Sequence, residues 1–119
     1  MKTLAINTLL FILFFGVNLF AQENKPDVTP LPIGGMKTIQ EKIVYPEIAM
    51  IAGIDGKVYV LASIDENGYV TNAKIIKGIG AGCNEAALDA VKQTKFTPAM
   101  KDQKPIKVEV LIPIVFALS

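Results

Sequence analysis

Residues 77–87 read KGIGAGCNEAA, with Gly78, Gly80 and Gly82 alternating with apolar residues. The run follows a strand-like segment and leads into a helix-like one. A glycine turn between a strand and a helix N-terminus is the arrangement that cradles phosphates. The remainder of that pattern is missing. The spacing is G-x-G-x-G rather than G-x-G-x-x-G, no Lys-Ser or Lys-Thr pair follows, and the preceding strand reads as the second arm of a hairpin. These glycines read as a tight joint, used where positive φ or a close approach is needed.

Other groupings carry as little chemistry. Asp65-Glu66-Asn67-Gly68 resembles the start of a calcium loop, but Tyr69 and Ile76 fall where later oxygen ligands are required. Asn-Gly is hairpin-turn chemistry instead. Cys83 precedes a helix start, where a thiolate is favoured. It has no histidine or second cysteine to work with, and it reads as a buried structural thiol. Glu85 and Asp89 share a solvated helix face. The chain has no histidine and no arginine, which removes the commonest general base and the bidentate anion fork. The expectation is a protein that is not an enzyme and uses no cofactor, metal, nucleic acid or small-molecule substrate.

Lys2, the apolar run Leu9–Val17 and Ala21 form a secretory leader, residues 1–21, cut after Ala21. The alternative is an uncleaved inner-membrane anchor over Leu4–Ala21, short for a span of about 17–25 residues. In either case the remainder is exported, and its eleven lysines balance eleven carboxylates. Residues 22–35 hold three prolines and two glycines and read as a linker. Residues 36–119 read as a single domain.

Within it, Met36, Ile39 and Ile43 are spaced for a short helix over about 36–43. Pro46 opens a second over 46–52, stopped by Gly53. A first strand, Gly56–Ile64, places Val58, Val60, Ala62 and Ile64 on one face. The turn at Asp65–Gly68 returns a second strand, Tyr69–Lys77. Asn84 is placed to cap the main helix, residues 84–93, with Ala87, Leu88 and Val91 buried. Asp102–Pro105 reads as a turn. From Ile106 to Leu118 every second residue is apolar, which predicts one long strand with a buried face. The class is α+β: a three-stranded antiparallel sheet in the order 2-1-3, helices on one face.

Pro113 lies inside the last strand. Proline has no N–H to donate, so that strand belongs at a sheet edge. If the missing N–H faces outward, Lys107, Glu109, Leu111 and Val115 present backbone groups to the open side. An open edge is a place for strand addition.

With these elements placed, a series of short motifs stands in order along the chain: Tyr45-Pro46-Glu47 with Ala49, Gly53-Ile54-Asp55-Gly56-Lys57-Val58, and Ile64-Asp65 with Gly68-Tyr69-Val70. It continues through Cys83-Asn84-Glu85-Ala86-Ala87 with Ala90-Val91, Phe96-Thr97-Pro98-Ala99, and Ile112-Pro113-Ile114 with Phe116. In their order and spacing these motifs make the chain resemble the C-terminal domain of the TonB energy transducers. Gly34-Gly35 resembles the Bacteroidetes-type variant. The resemblance implies a periplasmic module that grips outer-membrane TonB-dependent transporters in transmembrane transport, its last strand taking up the transporter's N-terminal peptide. It also implies that Tyr45 and Pro46 lie near the docked partner. Two departures stand out. Val44 replaces a residue that is polar in many members, and the linker spans at most roughly 50 Å at 3.3–3.6 Å per residue. An anchored short transducer, or a soluble module that forms a homodimer through the last strand, remain the alternative readings.

Overall fold

The computed structural model describes residues 25–118. The expected leader over residues 1–21 lies outside the described residues. Helix α1 spans Met36–Lys42 and α2 spans Glu47–Ala52. Strands β1 (Gly56–Ile64) and β2 (Val70–Lys77) follow, then α3 (Cys83–Lys92). The chain closes with β3 (Ala99–Lys101), β4 (Lys104–Ile106) and β5 (Val108–Phe116).

The main sheet has the order β2-β1-β5, and both ladders are antiparallel. This is the order expected from the sequence. Alternation fixes which face is buried, because successive side chains on a strand point to opposite sides. Val58, Val60, Ala62 and Ile64 of β1 are all buried, as are Ile112, Ile114 and Phe116 of β5. They meet Ile39 of α1, Ala49 of α2, and Cys83, Ala87, Ala90 and Val91 of α3. Fully burying a side chain such as Ile64, Ile114 or Phe116 is worth about 1.5–3 kcal/mol. Among the described residues no helix covers the opposite face, and Leu111 there is 53% exposed.

The glycine loop works by geometry. Helix α3 is preceded by Gly82 in the left-handed conformation, not capped by Asn84 as its residue type suggests. Asn84 lies within the helix and turns its side chain back. Its Oδ1 accepts from the N–H of Ile79 at 3.0 Å and of Gly80 at 3.2 Å. A side chain at Gly78 would occupy the space of that amide, and one at Gly82 would press on Pro46. The loop therefore holds its own backbone donors rather than offering them to an anion.

The last strand is broken where continuous alternation predicted one run. Asp102 and Gln103 both have positive φ, 52° and 65°, the two-residue turn that joins tight hairpins. Lys104–Ile106 folds back on Ala99–Lys101 as a small separate sheet. The expected turn at Asp102–Pro105 is thus shorter than read, and Pro105 lies in a strand. Lys107 is the crossing point between the two sheets and belongs to neither. The extended segment before α1 is also tied in, with Val28 bridged to Met100 and Pro32 to Phe96.

The tip of the β1–β2 hairpin is fixed by a close backbone contact. Phe96 donates its N–H to the Gly68 carbonyl at 2.9 Å. Asp65 Oδ1 accepts from the N–H groups of Asn67 and Tyr69, both at 2.9 Å. Gly68 has φ +87°, and a Cβ there would lie 1.9 Å from the Phe96 carbonyl oxygen. Gly80 also has positive φ but faces open space. Gly68→Ala is therefore expected to lose about 2–4 kcal/mol, combining left-handed strain with overpacking. Gly80→Ala, with the strain alone, is expected to lose about 1–2 kcal/mol. Urea unfolding midpoints of the two variants test the difference.

Two acidic protons are held in or against the core. Burial pushes the Cys83 thiol up, and the Glu85 charge adds to it. Burial likewise raises the Tyr45 phenol, helped by Cys83 and Asp55. Each folded-state pKa lies above its ordinary value, 9.0 for the thiol and 10.0 for the phenol. The unfolded chain releases these protons first, so the contribution of these two groups is fully present below about pH 9 and is lost as pH rises beyond it. Thermal melts from pH 7 to 11 should show this decline. In Cys83→Ala the fall should begin nearer pH 10.

Candidate functional site

The main sheet has two edges, and β5 forms one of them. Among the described residues its one ladder is with β1, in which Ser63 faces Glu109, Leu61 faces Leu111, Tyr59 faces Pro113 and Lys57 faces Val115. Proline lacks the ladder donor, and the sheet tolerates Pro113 because β5 has no second partner.

The two ends of β5 differ. At the C-terminal end, the ring of Tyr45 stands edge-on to Phe116, with centroids 5.4 Å apart at 88°. The Tyr45 hydroxyl donates to the Ile54 carbonyl. Pro46 is half-buried and packs toward Gly82. These contacts tie the corner between α1 and α2 to the end of the sheet. Both Tyr45 and Pro46 thus hold the fold together at that corner.

Here α1 also reaches the strand edge. Gln40 donates from Nε2 to the Val115 carbonyl at 3.2 Å. Ile39, next to it, is fully buried in the core. Lys42 donates from Nζ to the Gln93 carbonyl at the C-terminus of α3, 2.8 Å away. A lysine is well placed there, where unpaired helix carbonyls gather negative charge. Helix α1 is therefore anchored in three directions. The sequence offers no signal for the Gln40 contact beyond its place on the polar side of a short helix.

At the N-terminal end, Lys107 and Glu109 line an open groove of about 730 Å³ with Ser63, Asp65, Glu66, Asn67 and Thr71. The charges are mixed and the groove is shallow-walled by hairpin-tip residues. The structure therefore divides the sequence-derived residues. Tyr45, Pro46 and Val115 gather at one end, Lys107 and Glu109 at the other, and Leu111 and Pro113 lie between. At about 3.4 Å per residue, the two groups are separated by most of the strand's length.

The apolar surface is uneven as well. Helix α2 buries only Ala49, leaving Ile48 71% and Ile51 79% exposed, beside Val44 at 77%. Among the described residues, no three Cys, Asp or Glu side chains lie together as a metal-ligand set. Nor is any helix among them long and apolar enough to cross a membrane.

Comparison with known proteins accounts for this arrangement. Residues 41–118 match the family described as Gram-negative bacterial TonB protein C-terminal. Protein TonB of Xanthomonas campestris is 33% identical over 76 residues, covering 63% of this chain and 34% of that protein. Protein TonB of Helicobacter pylori strain J99 is 35% identical over 82 residues, covering 68% of this chain and 28% of that protein. This chain thus spans about a third of the length of the curated relatives it matches. The solution structure of an H. pylori TonB C-terminal domain superposes with a TM-score of 0.55 at 33% identity. It covers 68% of this chain and 86% of its own. The Pseudomonas aeruginosa TonB C-terminal domain, at 22% identity, shares the fold, with a TM-score of 0.54 over 80% of this chain and 90% of its own. The chain belongs to the family of TonB protein C-terminal domains.

Proposed function

We propose that this chain is a periplasmic TonB-type binding module whose β5 edge takes up the N-terminal peptide of an outer-membrane TonB-dependent transporter by strand addition. The observation that carries the reading is that, among the described residues, β5 is paired only with β1 and holds a proline within that edge strand. An antiparallel ladder alternates pairs that exchange hydrogen bonds with pairs that do not. Pro113 fits the second kind opposite Tyr59 without costing the sheet a bond. Its neighbours at two-residue intervals, Glu109, Leu111 and Val115, then turn their backbone N–H and C=O groups outward. The Gln40 contact supports this parity, since the Val115 carbonyl is met by a side chain from outside the ladder. Lys107 lies just ahead of β5 and serves this site only as a groove wall. Tyr45 and Pro46 shape the far end.

A partner peptide gains main-chain bonds from the edge and side-chain contacts from both faces. Leu111, exposed on the helix-free face, offers an apolar contact there. Family membership supports the choice of a transporter as partner. Export through a leader ending at Ala21 completes the reading. A mass spectrum of the protein recovered from the periplasm should begin at Gln22. An intact Met1 in a membrane fraction would instead identify an anchored short transducer.

Leu111→Pro tests the mechanism, because it removes an outward N–H and no bond to β1. Binding of transporter N-terminal peptides, followed by fluorescence anisotropy, should weaken about fivefold to tenfold, the value of roughly one hydrogen bond with its local ordering. The circular dichroism spectrum should be unchanged. Full binding by a folded Leu111→Pro protein would show that the peptide does not join the sheet at β5.

A further inference from the structure

The outward side of β5 is not equally available along its length. On the parity set by Pro113, Glu109 and Leu111 each offer an N–H and a C=O. Pro113 offers a C=O alone. The carbonyl of Val115 is already occupied by Gln40 at 3.2 Å. An added strand therefore finds two complete residues, then a half-residue, then an obstruction.

The helix that carries Gln40 is fixed by the core, and its exposed side chain reaches the strand edge from there. Gln40 follows Ile39, which is fully buried, so the helix carrying it cannot swing away without opening the core. Lys42, two residues further on, is tied to the Gln93 carbonyl at 2.8 Å. Just beyond, the Tyr45 ring packs against Phe116. Helix α1 thus closes the C-terminal end of the edge, while the N-terminal end opens into the groove beside Lys107 and Glu109.

We infer that Gln40 is a register stop that confines strand addition to Glu109–Pro113. The inference rests on the strand-addition reading above and adds its length and phase. The ligand class it defines is an extended peptide with a paired stretch of about five residues, one bond being possible at each outward group. Past that stretch the peptide leaves the sheet. A slip of one residue would exchange the faces of all its side chains. A fixed stop at one end prevents that slip and makes side-chain selection at Leu111 meaningful. Gln40 is a positioning residue here: it meets the strand edge and sets where the peptide ends.

The test uses the full chain and a transporter N-terminal peptide, trimmed to paired lengths of four to nine residues. For the wild type, affinity should rise to about five residues and change less than about twofold thereafter. For Gln40→Ala, and for the isosteric Gln40→Glu, which lacks the amide donor, affinity should continue to rise. Nine residues should then bind about tenfold more tightly than five, as expected for one or two added bonds. Amide exchange of the bound state gives a second readout. Val115 N–H should stay unprotected in the wild type and become protected in Gln40→Glu with the nine-residue peptide. Equal length dependence in all three proteins, or Val115 protection in the wild type, would overturn the stop while leaving strand addition intact. Failure of every peptide to bind any of the three proteins would overturn both.

Discussion

The fold turns on β1. Among the described residues it is the one strand that pairs on both sides, and its even-numbered row must be covered from a single direction. Val58, Val60, Ala62 and Ile64 sit beneath α1, α2 and α3. That row determines the rest of the arrangement. Because α1 and α2 precede β1 and α3 follows β2, they reach the same face from opposite sides of the hairpin in sequence. The crossover through the glycine loop then delivers β5 to the free side of β1. With only three strands, the sheet cannot bury both of its outer members' edges. An exposed edge is therefore a consequence of the core rather than an addition to it.

Much of this was legible because burial on one face writes a period of two into the sequence. The even-numbered series through Ile112, Ile114 and Phe116, together with Pro113, identified both the strand and its edge position. The same periodicity misled at Ile106–Val108. Alternation reports which face a residue points to, not which sheet it belongs to. The break falls at Lys107, between β4 and β5; the turn ahead of β4 is made by Asp102 and Gln103 at positive φ, neither of which is glycine or asparagine. Asn84 failed for a related reason. Its residue type suits a helix cap, but the glycines before it leave N–H groups closer to its side chain than its own helix terminus offers. The Gln40 contact joins residues 75 positions apart, and no local pattern records it.

Close backbone approach explains several residues that composition alone would assign to chemistry. Gly68 lets the hairpin tip meet the Phe96 backbone, which ties β1 and β2 to the segment after α3. Gly78 and Gly82 make room for the Asn84 amide and for Pro46. A phosphate loop and a tight crossover need the same freedom from a Cβ, so glycine content cannot separate them. The direction of the backbone donors can. Here the N–H groups of Ile79 and Gly80 are already held by Asn84.

An open strand edge has to be available to one partner and closed to others. Edges left unguarded pair indiscriminately. This one is guarded in several ways along a single strand: Glu109 carries charge, Pro113 withholds a donor, and Gln40 occupies an acceptor. None of these removes the edge, and each acts at a different point. On the strand-addition proposal, a partner would have to match a short sequence of available groups rather than a uniform ladder, and its affinity would depend strongly on register. On the same proposal, selectivity would rest on the backbone groups of β5 left free by these guards, with side chains refining it.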